Sequence, residues 1–268
     1  LCKNGHTVIV ESNAGSGSGF SDKDYINSGA KIAKYPEEIF SKADMIVKVK
    51  EPQPSEIKMI KPDQIVFTYF HFAADKNLTS SMIATSSINI AYETVQYDNG
   101  ELPLLIPMSE VAGRMAVQNG AKCLEASTGG RGKLLSGVPG VEPATVTILG
   151  GGIVGMNAAK LAAGLGAKVN ILDINPDRLK YLDDIMPPNV FTLYSNKHTI
   201  IDLLPKTDLL IGAVLVVGAK APNLITEKML SLMPKRSVII DVAVDQGGCV
   251  ETCRPTTHKN PTYEVNEI

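Results

Sequence analysis

Three polar residues close apolar runs of this chain. Lys50 ends Met45–Lys50, His71 ends Ile65–His71, and Asp245 ends Ser237–Asp245, just before Gln246, Gly247 and Gly248. If the runs are strands of parallel sheets, the three side chains stand at carboxyl ends, where open parallel sheets place ligands. A lysine there supplies an anchor for an anion, a histidine an acid–base group suited to neutral pH, and an aspartate a carboxylate that orients or activates. Each has a plainer reading. Lys50 reads also as a solvated strand end, His71, between Phe70 and Phe72, as a hydrogen-bonded core histidine, and Asp245 as the closure of a turn. Glu93, ending Ile88–Glu93, carries the same ambiguity.

A second constellation is more specific. The apolar run Thr145–Leu149 leads into Gly150, Gly152 and Gly155, an apolar helical pattern follows, and a second apolar run, Lys168–Asp173, ends in an acid. This is the dinucleotide fingerprint in its full strand–helix–strand context. Gly150 permits the tight turn, Gly152 lets backbone N–H groups approach a pyrophosphate, and Gly155 lets helix and strand sit close. The helix N-terminus adds a partial positive charge at the anion. Asp173 follows Gly150 by 23 residues, near the roughly 20 expected for the acid that accepts from a ribose. A carboxylate there accepts from the 2′- and 3′-hydroxyls and repels a 2′-phosphate. Ile174 and Asn175 add no cation next to it, so NAD is favoured over NADP; Arg178, five residues after Asp173, has the reach to stack on adenine or to meet a phosphate.

Other chemistries have less support. Cys249, Cys253 and His258 are spaced Cys-x3-Cys-x4-His with no fourth ligand nearby, so no metal is expected. The four cysteines lack the framework spacing of a small secreted scaffold, which favours a reduced, cytoplasmic setting. A net charge of −2 gives no pointer to nucleic acid. No apolar run approaches the roughly 18 residues of a membrane span.

The elements that must position these groups alternate. Strand-like runs at His6–Glu11, Met45–Lys50, Ile65–Phe70 and Ile88–Glu93 interleave with helical patterns at Asp22–Ser28, Tyr35–Ser41 and Asp75–Ser86, which implies a parallel sheet. Gly15–Gly19 is glycine-rich but lacks a dinucleotide-type helix behind it, so it reads as a loop. Pro103 and Pro107 break the chain, and a long helical pattern runs over 109–127. Val117, Ala121 and Leu124 share one face of it, with Val111 and Met115 as an adjoining stripe. Later strands are expected at Asp208–Val214 and Ser237–Val244, with a helix at Thr226–Leu232. The expected organisation is therefore a substrate domain over 1–103 and a Rossmann nucleotide domain over 104–268, entered through the 109–127 helix. The chain opens like the last turn of a helix followed by Gly5 and a strand, and stops in what reads as a strand. It is therefore expected to be an internal piece of a longer protein.

At these residues the chain resembles the alanine dehydrogenase/transhydrogenase family, and within it the alanine dehydrogenases. The runs that carry the resemblance are Val49–Pro52, Phe67–Ala74, Ile90–Gln96, Leu102–Arg114, Gly137–Gly140, Gly212–Leu215, Gly218–Pro222 and Asp241–Gly248, in register along the whole chain. The NAD-binding component of proton-translocating transhydrogenase shares the family's fold. It lacks the histidine of the Phe67–Ala74 segment and the aspartate equivalent to Asp245, and it reads differently at Tyr92–Gln96.

The resemblance implies an α/β fold of two Rossmann-like domains with parallel sheets and an NAD cleft between them. It implies reversible, NAD-dependent oxidative deamination of L-alanine to pyruvate and ammonia, in a homo-oligomer expected to be a hexamer. By position, Lys50 matches the lysine that binds the substrate carboxylate, and His71 and Asp245 match the proton-transfer pair. Glu93 and Met108 match residues near substrate and nicotinamide. Ser109, Ile153, Val154, Asp173, Arg178, Ser195, Val214, Leu215, Val242, Ala243, Val244, Asp245 and Arg254 match nucleotide contacts, beside Gly150, Gly152 and Gly155. The family's substrate-binding arginine near the N-terminus, and its Asn-Met-Pro segment and returning helices near the C-terminus, have no counterpart in these 268 residues. A transhydrogenase subunit, a related amino-acid dehydrogenase and a non-catalytic NAD-binding module remain the alternatives.

Overall fold

The computed structural model describes residues 1–216 and 220–268, without the side chain of Asp245. The chain forms two compact units, Leu1–Tyr97 and Asp98–Ile268. Sequence places the boundary at 103, after the first of the breaking prolines.

The first unit runs β1 (Ile9–Glu11), α1 (Asp22–Asn27), β2 (Lys31–Ala33), α2 (Pro36–Lys42), β3 (Met45–Val47), α3 (Pro54–Ile57), β4 (Ile65–Thr68), α4 (Lys76–Ala84) and β5 (Ile88–Ala91). β1 pairs with β2, and β3, β4 and β5 form a second sheet in that order; every pairing is parallel. Helix starts follow local chemistry. Ser21 and Asp24 form a reciprocal capping box on α1, Pro36 opens α2, and the Asp75 carboxylate accepts the Asn77 and Leu78 amides at the start of α4.

The alternation of β4 sends Val66 and Thr68 into the unit, where Val66 packs with Phe40, Ile46, Phe70, Leu78 and Met82. On the other face of this sheet, Met45, Val47, Ile88 and Ile90 are exposed. Gln64, buried beneath it, donates to the Phe40 and Ala43 carbonyls at 3.0 and 2.7 Å and so closes the end of α2.

The second unit runs α5 (Ile106–Cys123), β6 (Thr145–Leu149), α6 (Ile153–Gly164), β7 (Lys168–Asp173), α7 (Pro176–Ile185), β8 (Val190–Tyr194), α8 (Lys197–Leu203), β9 (Leu209–Gly212), α9 (Glu227–Leu230) and β10 (Val238–Asp241). Its sheet is wholly parallel, in the order β10-β9-β6-β7-β8. The strand order reverses between β6 and β9, which makes the carboxyl ends of these two strands the switch point of a doubly wound sheet.

Both faces of the central strands β9, β6 and β7 are covered, so those strands are largely apolar. Val146, Ile148, Val169, Ile171, Leu209 and Ile211 pack with Ala158, Ala159 and Ala162 of α6 and with Ala116 and Val117 of α5. Leu149, Leu172 and Leu210 face Ile200, Leu204, Met229 and Leu230 on the other side. Thr147 and Thr207, both fully buried, satisfy one another through their hydroxyls at 2.7 Å.

The expected connecting helix starts three residues early and ends four early, as α5. Its Val117–Leu124 face is buried, but Val111 and Met115 are 62% and 44% exposed, so the adjoining stripe does not join the core. Small residues explain how closely α5 lies on α6. A Cβ on Gly113 would collide with the Val154 carbonyl and sit 3.1 Å from the Ala158 nitrogen. Strands expected to reach Lys50, His71 and Glu93 stop at Val47, Thr68 and Ala91. The backbone bonding outlasts the regular strand, because the Lys48 amide still donates to Phe67 O and the Tyr69 amide to Val49 O, each at 3.2 Å.

Candidate functional site

All five strands of the second unit deliver a candidate nucleotide residue at one edge. Gly150–Gly155 follows β6, Asp173 ends β7, Ser195 follows β8, Val214 and Leu215 follow β9, and Val242–Asp245 follows β10. The Ser195 amide donates to the Asp173 carbonyl at 2.9 Å.

The three fingerprint glycines have three different surroundings. Gly150 has φ +100°, in the left-handed region that favours glycine, and a Cβ there would stand 2.6 Å from the Ala213 carbonyl oxygen. Gly155 faces the Gly150 carbonyl so closely that a Cβ would overlap it. Gly152, the N-cap of α6, has nothing within 4 Å of where its Cβ would be. The second glycine therefore fronts open space at the start of a twelve-residue helix, where free backbone N–H groups favour an anion.

Asp173 is fixed to this loop. Its Oδ2 accepts the Gly151 amide at 2.7 Å and its Oδ1 accepts the Asn175 amide at 2.9 Å. A carboxylate has about four acceptor positions, so hydroxyl donors can still be accommodated. Arg178, on α7, donates from Nε to the Gly151 carbonyl at 2.6 Å and lies 4.9 Å from the Tyr181 ring centroid. The loop thus holds this cation through a carbonyl. Ile153 and Val154 form the first turn of α6 and are half-buried.

Ser109 is buried and Met108 half-buried in the first turn of α5, one turn before the Gly113 contact. Arg254 is placed differently: its amide donates to the Tyr263 hydroxyl at 2.9 Å and its guanidinium lies 4.5 Å from that ring.

Asp245 was expected at a strand end. The strand stops at Asp241 instead, and Asp245 lies in the tight turn Val242–Gln246. Asp241, which sequence reading passed over, organises that segment. Its carboxylate accepts the Ala243 amide at 3.0 Å, the Cys249 amide at 2.8 Å and the Val250 amide at 3.1 Å, and so ties both ends of the loop together. Burial holds the Asp241 carboxyl above the usual carboxylate range. Burial and the Asp241 charge push the Cys249 thiol far up and the Cys253 thiol up to about 12. Thiols held protonated in this way are poor nucleophiles, and no group of three or more His, Cys, Asp or Glu placed to hold a metal ion occurs among the described residues. Gly218 and Ala219, in one of the runs that carry the resemblance, lie outside the described residues.

In the first unit the candidates also share one edge, just beyond β3, β4 and β5. The Thr68 hydroxyl donates to the Lys50 carbonyl at 2.8 Å, which pins that backbone while the lysine stays exposed. His71 has φ +55°, a left-handed conformation in which histidine is one of the better-tolerated side-chain-bearing residues. Glu93 stabilises it, accepting the His71 amide at 2.6 Å and the Phe70 amide at 3.2 Å on Oε1, with Oε2 3.3 Å from the Phe70 nitrogen.

The His71 ring is largely covered and has its Nδ1 3.7 Å from Oε2 of Glu51, a residue not singled out from sequence. Beside it, Tyr69 lies near-parallel at 6.2 Å and stands edge-on to Tyr92 at 4.8 Å. Burial, then the Glu93 charge, raises the Tyr69 hydroxyl, and burial raises that of Tyr92. His71 is thus neither a strand residue nor a histidine sealed in the core.

Two family models match, "Alanine dehydrogenase/PNT, N-terminal domain" over residues 1–112 and "Alanine dehydrogenase/PNT, C-terminal domain" over 116–268. An alanine dehydrogenase of Methanococcus maripaludis is 55% identical over 261 residues, covering 97% of this chain and 70% of that protein. One of Staphylococcus epidermidis is 53% identical over 269 residues, covering 100% and 72%. A solved L-alanine dehydrogenase superposes with a TM-score of 0.90 at 52% identity, over 99% of this chain and 73% of that one. A transhydrogenase structure from Sinorhizobium meliloti shares the fold, with a TM-score of 0.78 at 24% identity over 95% and 74%. A Rossmann fold in this setting implies a nucleotide cofactor, and the open cradle at Gly152 beside the anchored Asp173 fits one. By both family models and by identity above one half along nearly its whole length, the chain belongs to the alanine dehydrogenase/PNT family.

Proposed function

We propose that this chain carries the chemistry of an NAD-dependent L-alanine dehydrogenase: L-alanine, NAD and water give pyruvate, ammonium, NADH and a proton. The observation that carries the reading is the sustained identity to proteins named alanine dehydrogenase, 53–55% over 97–100% of the chain. The likeness to a transhydrogenase extends to the fold alone. The nucleotide, when bound, supplies the acceptor for the hydride that leaves the alanine Cα.

The roles proposed for the chain's own groups are those the family resemblance implies by position, and their chemistry suits them. The Lys50 ammonium binds the substrate carboxylate and polarises the carbonyl in the reductive direction. His71 exchanges protons with the substrate amine or carbinolamine, and Asp245 orients or activates the water and balances the iminium charge. Asp173 selects NAD, since its carboxylate accepts ribose hydroxyls and repels a 2′-phosphate. Glu93 and Met108 border the substrate, and Ser109, Ser195, Val214, Leu215, Val242–Val244 and Arg254 border the nucleotide. The expected homo-oligomer and cytoplasmic location belong to this proposal too. No helix among the described residues is long and apolar enough to cross a membrane.

The test is NADH formation by the purified protein, followed by absorbance, with L-alanine and with other small L-amino acids. Turnover with alanine and NAD supports the reading. NAD binding without turnover of any amino acid would leave only a nucleotide-binding module.

A further inference from the structure

We infer that Glu51 and Glu93 are the positioning residues of His71: Glu93 sets its backbone, and Glu51 holds the imidazole as the Nδ1–H tautomer with the Nε2 lone pair left for substrate. The inference rests on the reading of His71 as the proton-transfer group and goes beyond it by naming what prepares that group.

Three observations converge. First, His71 sits in left-handed backbone three residues after β4 has ended, so the local chain does not dictate its orientation. Something else must over-determine it. Glu93, delivered by the neighbouring strand β5, does so for the main chain, with its carboxylate engaged by the amides of Phe70 and His71. Those bonds leave the ring free to turn.

Second, the ring has a partner on one side. Glu51 Oε2 lies 3.7 Å from Nδ1, and the two side chains are 38% and 12% exposed. The separation is an ion-pair distance, slightly longer than a hydrogen bond. Catalytic contacts of this kind are often long in the unliganded protein and tighten when substrate binds. A carboxylate accepts only, so the nitrogen facing it must carry the hydrogen, and the other nitrogen is then the base in the neutral ring.

Third, Glu51 is itself held by its surroundings. Its carbonyl accepts from the Gln53 side chain at 3.3 Å, and the next residue, Pro52, is buried. Lys48, three residues before, pairs with Glu56. The strand end that presents Lys50 to one group of the substrate thus presents, one residue later, the carboxylate that sets the tautomer of His71.

Placing the base is worth much of what a positioned acid–base group contributes, about 10²–10⁴-fold. Glu51→Gln is therefore expected to lower kcat for alanine oxidation about 10–100-fold, with KM for alanine and NAD affinity within about threefold. Glu51→Asp should recover part of the loss. An unchanged kcat in Glu51→Gln overturns the inference, and so does a loss that appears in KM alone.

A second readout does not depend on turnover. The chain has four histidines, His6, His71, His198 and His258, so nitrogen-15 histidine labelling resolves each ring, with His71→Gln giving the assignment by loss of a signal. The wild-type protein should show His71 as the Nδ1–H tautomer, and Glu51→Ala should move it towards Nε2–H. The Nε2–H form in the wild type, or the same tautomer in both proteins, overturns the inference. If the protein makes no NADH from alanine, the functional reading falls, while the tautomer measurement still decides the role of Glu51.

Discussion

The Gly151 amide donates to the Asp173 carboxylate at 2.7 Å, so the acid that ends one strand is bound to the glycine loop that follows its neighbour. In the proposed function, one side chain therefore couples cofactor choice to loop shape. Asp173→Ala should weaken NAD binding by roughly 1–3 kcal/mol, the range for a charged hydrogen-bonding partner, and bring NAD and NADP closer together in affinity. Fluorescence titration with both reduced nucleotides measures this. Equal affinities in the wild type would remove the role given to Asp173.

The glycines separate fold from binding. Gly155→Ala and Gly113→Ala both drive a methyl group into a backbone carbonyl and should cost roughly 1–3 kcal/mol, seen as a lower Tm. Gly152→Ala meets nothing within 4 Å, so its Tm should hold while nucleotide binding weakens. A Gly152→Ala protein with full NAD affinity would show that no phosphate approaches there.

His71→Ala should reduce kcat by about 10²–10⁴-fold with NAD binding intact, whereas Lys50→Ala should act mainly on KM for alanine and pyruvate. Steady-state kinetics with both substrates distinguish the two. Near-normal turnover by His71→Ala would return His71 to a structural role.

The buried Asp241 makes a pH prediction. Its carboxyl is held above 3.8, the value for a solvated aspartate, because burial disfavours the charge. A group raised in the folded state stabilises fully below its unfolded value and loses that contribution as pH rises through its folded value. Denaturant unfolding from pH 3 to 7 should therefore show wild type losing ground to Asp241→Asn as pH increases. A gap that widens in favour of wild type over that range would mean that the three amide donors outweigh burial.

The thiols give a further test. With Cys253 pushed up to about 12 and Cys249 higher still, both should resist iodoacetamide at pH 8 in the folded protein and react once it is unfolded. Mass spectrometry of the alkylated peptides reports this directly. Rapid labelling of either cysteine in the native state would contradict its placement.

The nucleotide half was legible because each part of its fingerprint has its own stereochemical reason. Gly150 needs positive φ, Gly155 needs contact with a carbonyl, and an apolar strand needs cover on both faces. The first unit was legible in its residue types but not in its geometry. The runs ending in Lys50 and His71 stay apolar after the chain has left the sheet, so composition overstates strand length there. Glu51 and Asp241 were missed because their work is done across 20 residues to His71 and across a folded-back loop to Cys249, and neither partner sits at a periodic spacing. The exposed Val111 and Met115 show the converse: apolar periodicity marks a possible core face, and only the position of the neighbouring helix decides whether that face is covered.

The pairing of β6 with β9 joins Val146 to Leu209 across 63 residues, while β7 and β8 pair more locally. Loop closure of that length comes at an entropic cost before any contact repays it, and distant parallel pairing is slow. The β6-β7-β8 half of the sheet can therefore assemble before the chain has supplied β9, but the switch point does not exist until β9 arrives. Nucleotide affinity should appear in a refolding time course after most of the helical signal, making ligand capture a clock for the final step of folding.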